Sequence, residues 1–138
     1  MTDPNQEPGA EPAFDKTANT GFAHLRNATR FSLKGLQSAF RHESAFRQEV
    51  ALLVILVPVA IWLARSLTEA MLLISVCLLV MVVELLNSGI EAAIDRIGPE
   101  FHELSGRAKD LGSAAVMLAL IIAGGTWLTF LYERFTGS

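Results

Sequence analysis

Cysteine is nearly absent from this chain, charge is scarce, and the familiar nucleotide-binding loops do not occur. A single cysteine, Cys77, among 138 residues excludes an internal disulfide, and without ligand partners it excludes a cysteine-based zinc site. Lying in an apolar run, it reads as a small packing residue. Charged residues make up 18% of the sequence, against the ~25% usual in soluble domains. Net charge is −3, and no stretch is both basic and aromatic-rich, so no nucleic-acid partner is expected. There is no GxxxxGK[ST] and no GxGxxG, and His102-Glu103 lacks a second His at HExxH spacing, Gly106 standing there instead. No secretory signal is expected, because the first long apolar run starts near Val50 and no small-residue cleavage site follows it.

What is present is apolar surface. Hydrophobic residues reach 51% and mean hydropathy is +0.41, more than a small core accommodates. Val50 to Ala64 is apolar throughout except for Pro58, short for a hydrocarbon core of ~30 Å. The first span therefore draws in flanking residues, over about 46–65. A turn over 65–69 leads to a second span over about 70–97, ended by the helix-stop pair Gly98-Pro99. Glu100 to Asp110 reads as a charged connection, and a third span follows over about 111–132. Ala115, Ala119 and Ala123 give that span a close-packing face. The fold class expected is an all-α membrane protein.

Residues 1–20 carry Pro4, Pro8 and Pro12 among acidic and polar side chains. Such a segment buries too little apolar area to offset its ordering entropy and reads as a disordered tail. The remaining residues, 21–138, form the membrane-embedded domain. It opens with a helix over about 22–42 in which Phe22, Leu25, Thr29, Leu33, Leu36 and Phe40 share one side. Arg26, Arg30, Lys34 and Arg41 flank that side, the pattern of a helix lying in the headgroup plane. Phe31 falls on the opposite face.

The second apolar run turns polar partway along. From Ala70 to Val83 the polar side chains are Ser75 and, weakly, Cys77; then come Glu84, Asn87, Ser88, Glu91 and Asp95. At ~100° per residue these five fall within an arc of about 100° on one helix face. Carboxylates at such depth cost on the order of 3 kcal/mol each, so they are expected to work rather than decorate. Lys and Arg number six between Lys16 and Arg47, with Arg96, Arg107 and Lys109 between the second and third spans and Arg65 and Arg134 on the other side. Positive residues stay inside, which predicts a cytoplasmic N-terminus. Glu43, the Glu84–Asp95 face and Lys109-Asp110 then converge on the cytoplasmic side. Two carboxylates with phosphate oxygens and water suit magnesium, a third carboxylate can take a proton from a hydroxyl, and lysine offsets phosphate charge. The residues alone carry the reading as far as a cytoplasm-facing polar site in a three-span membrane protein.

The strings SLKGL, HESAFRQE and VELLNSGIEAAIDRIGPEFHELSGRAKDLGSAAV resemble the small integral-membrane diacylglycerol kinases of bacteria, over roughly Gly21 to Phe135. The resemblance implies a homotrimer in the inner membrane with sites shared between neighbouring subunits. It implies transfer of the ATP γ-phosphoryl group, with Mg2+, to diacylglycerol drawn from the bilayer, giving phosphatidic acid for phospholipid recycling. By matching position, Glu84 resembles the family's general base and Asn87 the amide that orients the catalytic groups. Glu43 and Glu91 resemble the metal and nucleotide carboxylates. Asp95, Lys109 and Asp110 resemble further nucleotide contacts, with Glu100, Phe101 and His102 near the adenosine end. Ala45, Phe46, Arg47, Gln48, Glu49 and Ser113 resemble positions lining the lipid site, together with Glu84. Better-known members carry an arginine and a tyrosine on the surface helix where this chain has His24 and Phe31; Arg26 and Arg30 are candidates for the missing cation, and Phe31 on its odd face would meet nucleotide. Two other readings compete. A polyprenol kinase acting on undecaprenol shares the fold, and a small ion-coupled transporter would also use intramembrane carboxylates.

Overall fold

The computed structural model describes residues 21–98, 100 and 102–137, the side chains of residues 22 and 23 excepted. The expected tail over residues 1–20, Pro99 and Phe101 lie outside the described residues. Four helices and, among the described residues, no strand make up the chain: α1 (Phe22–His42), α2 (Ser44–Leu63), α3 (Leu67–Ile97) and α4 (Glu103–Thr136). The chain divides into two units, residues 1–36 and 37–138. In the first, α1 exposes Leu25, Phe31, Leu33 and Leu36, and Thr29 Oγ1 returns a hydrogen bond to the Leu25 carbonyl at 2.9 Å. The rest of the description concerns the second unit.

A single extended residue, Glu43 (φ −101°, ψ 116°), separates α1 from α2. The 20 residues of α2 give about 30 Å of helix, the thickness of a hydrocarbon core, and Pro58 lies inside the helix without ending it. α3 starts earlier than the apolar run alone predicts. Ser66 Oγ accepts from the Glu69 amide at 3.2 Å, while Glu69 Oε2 accepts from the Arg65 amide at 2.7 Å. This reciprocal capping draws the expected turn over 65–69 into the helix from Leu67 onward. α3 ends at Gly98, whose φ of 150° lies where side-chain-bearing residues rarely go.

α4 likewise begins at Glu103, well before Leu111. His102 caps it, Nδ1 accepting from the Leu104 amide at 3.2 Å, and Glu103 sits favourably in the first turn. Most of the expected charged connection is therefore helix, and Lys109 and Asp110 ride on its first turns. α3 packs most extensively on α4 and next on α2. The α3–α4 seam is antiparallel: Asp95 meets Lys109, Asn87 meets Gly112, and the Leu73 carbonyl meets Trp127 Nε1 at 3.3 Å. At the end of the bundle away from Lys109, Ala60, Leu63 and Leu73 form the core, with Ile74, Trp127, Phe130 and Leu131 packed on it.

Outward faces remain apolar and uncovered in a single chain, Val54 at 69% and Ile121 at 61% exposure among them. The three helices from α2 to α4 are long and apolar enough to cross a membrane, in agreement with the three apolar runs. At 31 and 34 residues, α3 and α4 reach about 46 and 51 Å and outrun a ~30 Å core.

Candidate functional site

Helical periodicity brings Glu84, Asn87 and Glu91 to one side of α3, and the fold turns that side inward. Glu84 and Asn87 are 8% and 9% exposed, the buried polar side chains among the described residues, and Glu91 is half-buried. Asn87 Nδ2 donates to Glu91 Oε1 at 3.1 Å. Asn87 Oδ1 is buried with no hydrogen-bond partner.

Carboxylates from other elements join them. Glu43 and Glu91 lie close enough for their charges to act on Glu84, and Glu84 in turn acts on Glu49. Glu43 is the N-cap residue of α2, yet its side chain makes no capping hydrogen bond, so the carboxylate stays available. Glu49 is half-buried, with Oε2 unpartnered and out of contact with solvent. Four acids from α2, α3 and the α1–α2 break thus share one field. Carboxylates gathered in this way repel one another, and a cation held between them relieves that repulsion. The arrangement therefore suits cation binding and proton transfer.

Lys109 supplies positive charge at the outer edge. Its Nζ lies 2.6 Å from Asp95 Oδ1 with both side chains substantially exposed, 40% and 67%, and its charge and that of Glu91 act on each other. A pair this exposed adds little to stability, which leaves the lysine free to exchange partners. Asp110, Ser113, Glu100 and His102 are exposed nearby in the chain, and His102 already uses Nδ1 to cap α4. Phe101 lies outside the described residues. His24 and Phe31 are exposed on α1 in the N-terminal unit.

The expected lipid-lining segment divides by burial. Phe46 is 4% exposed and packs inward, whereas Gln48 is exposed and Ala45 half-buried. Arg47 Nη1 donates to the carbonyls of Phe40 and Arg41, both at 3.2 Å. It closes the C-terminal end of α1, a role that i, i+4 spacing to Glu43 does not reveal.

Two features escaped the sequence. A cleft of about 370 Å³ runs from Glu49 between α2, α3 and α4, lined by Leu53, Leu56, Val80, Leu120 and Trp127. Its walls come from three helices, so no local pattern marks it. The second is Gly112, buried where a Cβ would strike Asn87 Oδ1. Its only signal in the sequence is a glycine three residues beyond Lys109.

Among the described residues no three His, Cys, Asp or Glu side chains form a ready metal cage. Magnesium does not require one, since one or two carboxylates commonly hold it while phosphate and water complete the shell. Glu43 and Glu91 each lie close enough for their charges to act on Glu84, and these are the carboxylates that could serve such an ion.

Comparison with known proteins adds a family. Residues 30–131 match the family described as prokaryotic diacylglycerol kinase. The diacylglycerol kinase of Haemophilus influenzae is 56% identical over 108 residues, 78% of this chain and 92% of that protein. The diacylglycerol kinase of Escherichia coli K12 is 52% identical over 116 residues, 84% of this chain and 95% of that protein. That of Pseudomonas aeruginosa is 54% identical over 112 residues, covering 81% and 91%.

Proposed function

The chain belongs to the prokaryotic diacylglycerol kinase family, and from that membership we infer its reaction. The γ-phosphoryl group of ATP passes to the free hydroxyl of a 1,2-diacylglycerol, giving phosphatidic acid and ADP. The observation that carries this reading is identity above 50% with diacylglycerol kinases over most of both chains, joined to buried acids on a spanning helix.

The chemistry asks for three things. A neutral hydroxyl must lose a proton as the new P–O bond forms, the phosphates' charge must be offset, and water must be kept out. Glu84, buried beside other acids on the inward side of α3, is our candidate for the proton acceptor, since a carboxylate within reach of the hydroxyl can take its proton as the new bond forms. Glu91 and Glu43 would hold Mg2+, which would supply charge on the phosphate oxygens. Asn87 fixes one of those carboxylates through its Nδ2. Lys109 would leave Asp95 for a phosphate oxygen, and Asp110, Asp95, Glu100 and His102 would border the rest of the nucleotide.

The lipid would approach along Ala45 to Glu49 and Ser113. Counted from Leu67, twenty residues of α3 span about 30 Å and reach Asn87. That count supports a site at the level where the bilayer gives way to water. We propose that this is the cytoplasmic face of the inner membrane, on the bias of Lys and Arg. The uncovered faces of α2 to α4 support a homotrimer that shares sites between neighbours.

Purified protein in lipid vesicles with γ-labelled ATP and either diacylglycerol or undecaprenol tests the reading. Label in phosphatidic acid is the expected result. Label confined to undecaprenyl phosphate would overturn the acceptor, and no transfer to either would overturn the reaction.

A further inference from the structure

Gly112 is buried on α4, three residues beyond Lys109 and so on the same face. A Cβ there would run into Asn87 Oδ1, with Asn87 Cγ at 3.2 Å and Asn87 Cα at 3.8 Å. By contrast, a Cβ at Gly35, Gly89, Gly124 or Gly125 would meet nothing within 4 Å. The backbones of α3 and α4 therefore approach closely at the level of the buried amide. Asn87 cannot simply turn over, because presenting Oδ1 to Glu91 would set two acceptors against each other. With Nδ2 given to Glu91 Oε1, Oδ1 must face α4, and only a residue without a side chain leaves it room. The hydrogen that stands in for Cβ points at that oxygen, a weak contact of the Cα–H···O kind.

We propose that Gly112 is a positioning residue for phosphoryl transfer: bare backbone at this point of α4 holds Asn87 in the orientation that restrains Glu91. The catalytic consequence rests on the reading of Glu91 as a ligand of the metal–nucleotide complex. The steric relationship does not. A methyl at position 112 displaces the amide, Nδ2 leaves Glu91, and the carboxylate is freed to rotate.

Four proteins in lipid vesicles test this: the natural chain, Gly112→Ala, Asn87→Ser and the double variant. Gly112→Ala is expected to lower kcat/KM for magnesium–ATP about tenfold or more, the scale of a small misplacement in an active site. Serine at 87 is short enough to clear the methyl. In that background the alanine should cost little further, so the two losses should not multiply. Multiplying losses would overturn the proposal. If Gly112→Ala alone fails to fold, folding of the double variant would support the contact, and its failure would overturn it. The side-chain amide resonances of Asn87, identified by their loss in Asn87→Ser, give a readout independent of turnover. They should shift in Gly112→Ala, and unmoved resonances would overturn the contact even in a protein that does not phosphorylate diacylglycerol. Absence of diacylglycerol phosphorylation in the natural chain would instead remove the functional reading alone.

Discussion

Asn87 reaches along α3 to give its Nδ2 to Glu91 Oε1 at 3.1 Å, and this one bond ties a buried amide to a half-buried acid a turn away. Behind the amide stands α4, before it on the same helix stands Glu84, and across from Glu84 stand Glu43 and Glu49. A helix long and apolar enough to cross a bilayer thereby also orders the acids.

Glu84→Gln keeps shape and hydrogen-bonding capacity but removes the proposed proton acceptor. Turnover should fall at least a hundredfold, toward the ~10²–10⁴ range of general-base loss, while nucleotide affinity stays within about twofold of the natural chain. Steady-state rates beside equilibrium titration of nucleotide check this. A normal rate would take Glu84 out of the chemistry.

Glu91→Ala removes a proposed metal ligand and the acceptor of Asn87 at once. Half-saturation by magnesium should move to higher concentration together with a lower kcat. Chelation of magnesium should silence the natural enzyme, and restored metal should revive it. Magnesium titration of both proteins is the measurement, and an unchanged curve would argue against ligation by Glu91.

Asp95→Asn breaks an exposed pair, so thermal unfolding should hardly move. Lys109→Met is expected to raise KM for ATP severalfold or more, with equally small change in unfolding temperature, if the lysine offsets phosphate charge as proposed. Unfolding curves and KM for both variants separate the two roles.

Trp127→Phe tests the opposite end of the seam. The indole Nε1 lies 3.3 Å from both the Leu73 carbonyl and Cys77 Sγ, and losing that donor should cost about 1 kcal/mol. Denaturant unfolding in detergent reads the loss. Rates with saturating lipid should remain near those of the natural chain.

The polar face of α3 was legible because helical spacing alone gathers Glu84, Asn87, Glu91 and Asp95. The three spans were legible as apolar runs. Their true starts were not: capping by Ser66 and His102 extends α3 and α4 into segments whose charge reads as loop. Phe46 shows a second limit, since adjacency to polar residues hides that it is buried. Arg47 shows a third, its partners being backbone carbonyls six and seven residues back. The meeting of Glu49 with Glu84, and of Gly112 with Asn87, depends on how helices lie against one another. No single helix carries that information.

α4 is fastened to the bundle at the end far from the acids. There Arg65 Nη2 donates to the Glu133 carbonyl at 2.9 Å, the Arg134 guanidinium lies 5.7 Å from the Trp62 ring centre, and Trp127, Phe130 and Leu131 pack on the core of Ala60, Leu63 and Leu73. At the opposite end the exposed pair of Lys109 with Asp95 holds little. A covalent staple between α3 and α4 beside Trp127 should therefore leave the catalytic cycle running, because it locks only the end that is already anchored.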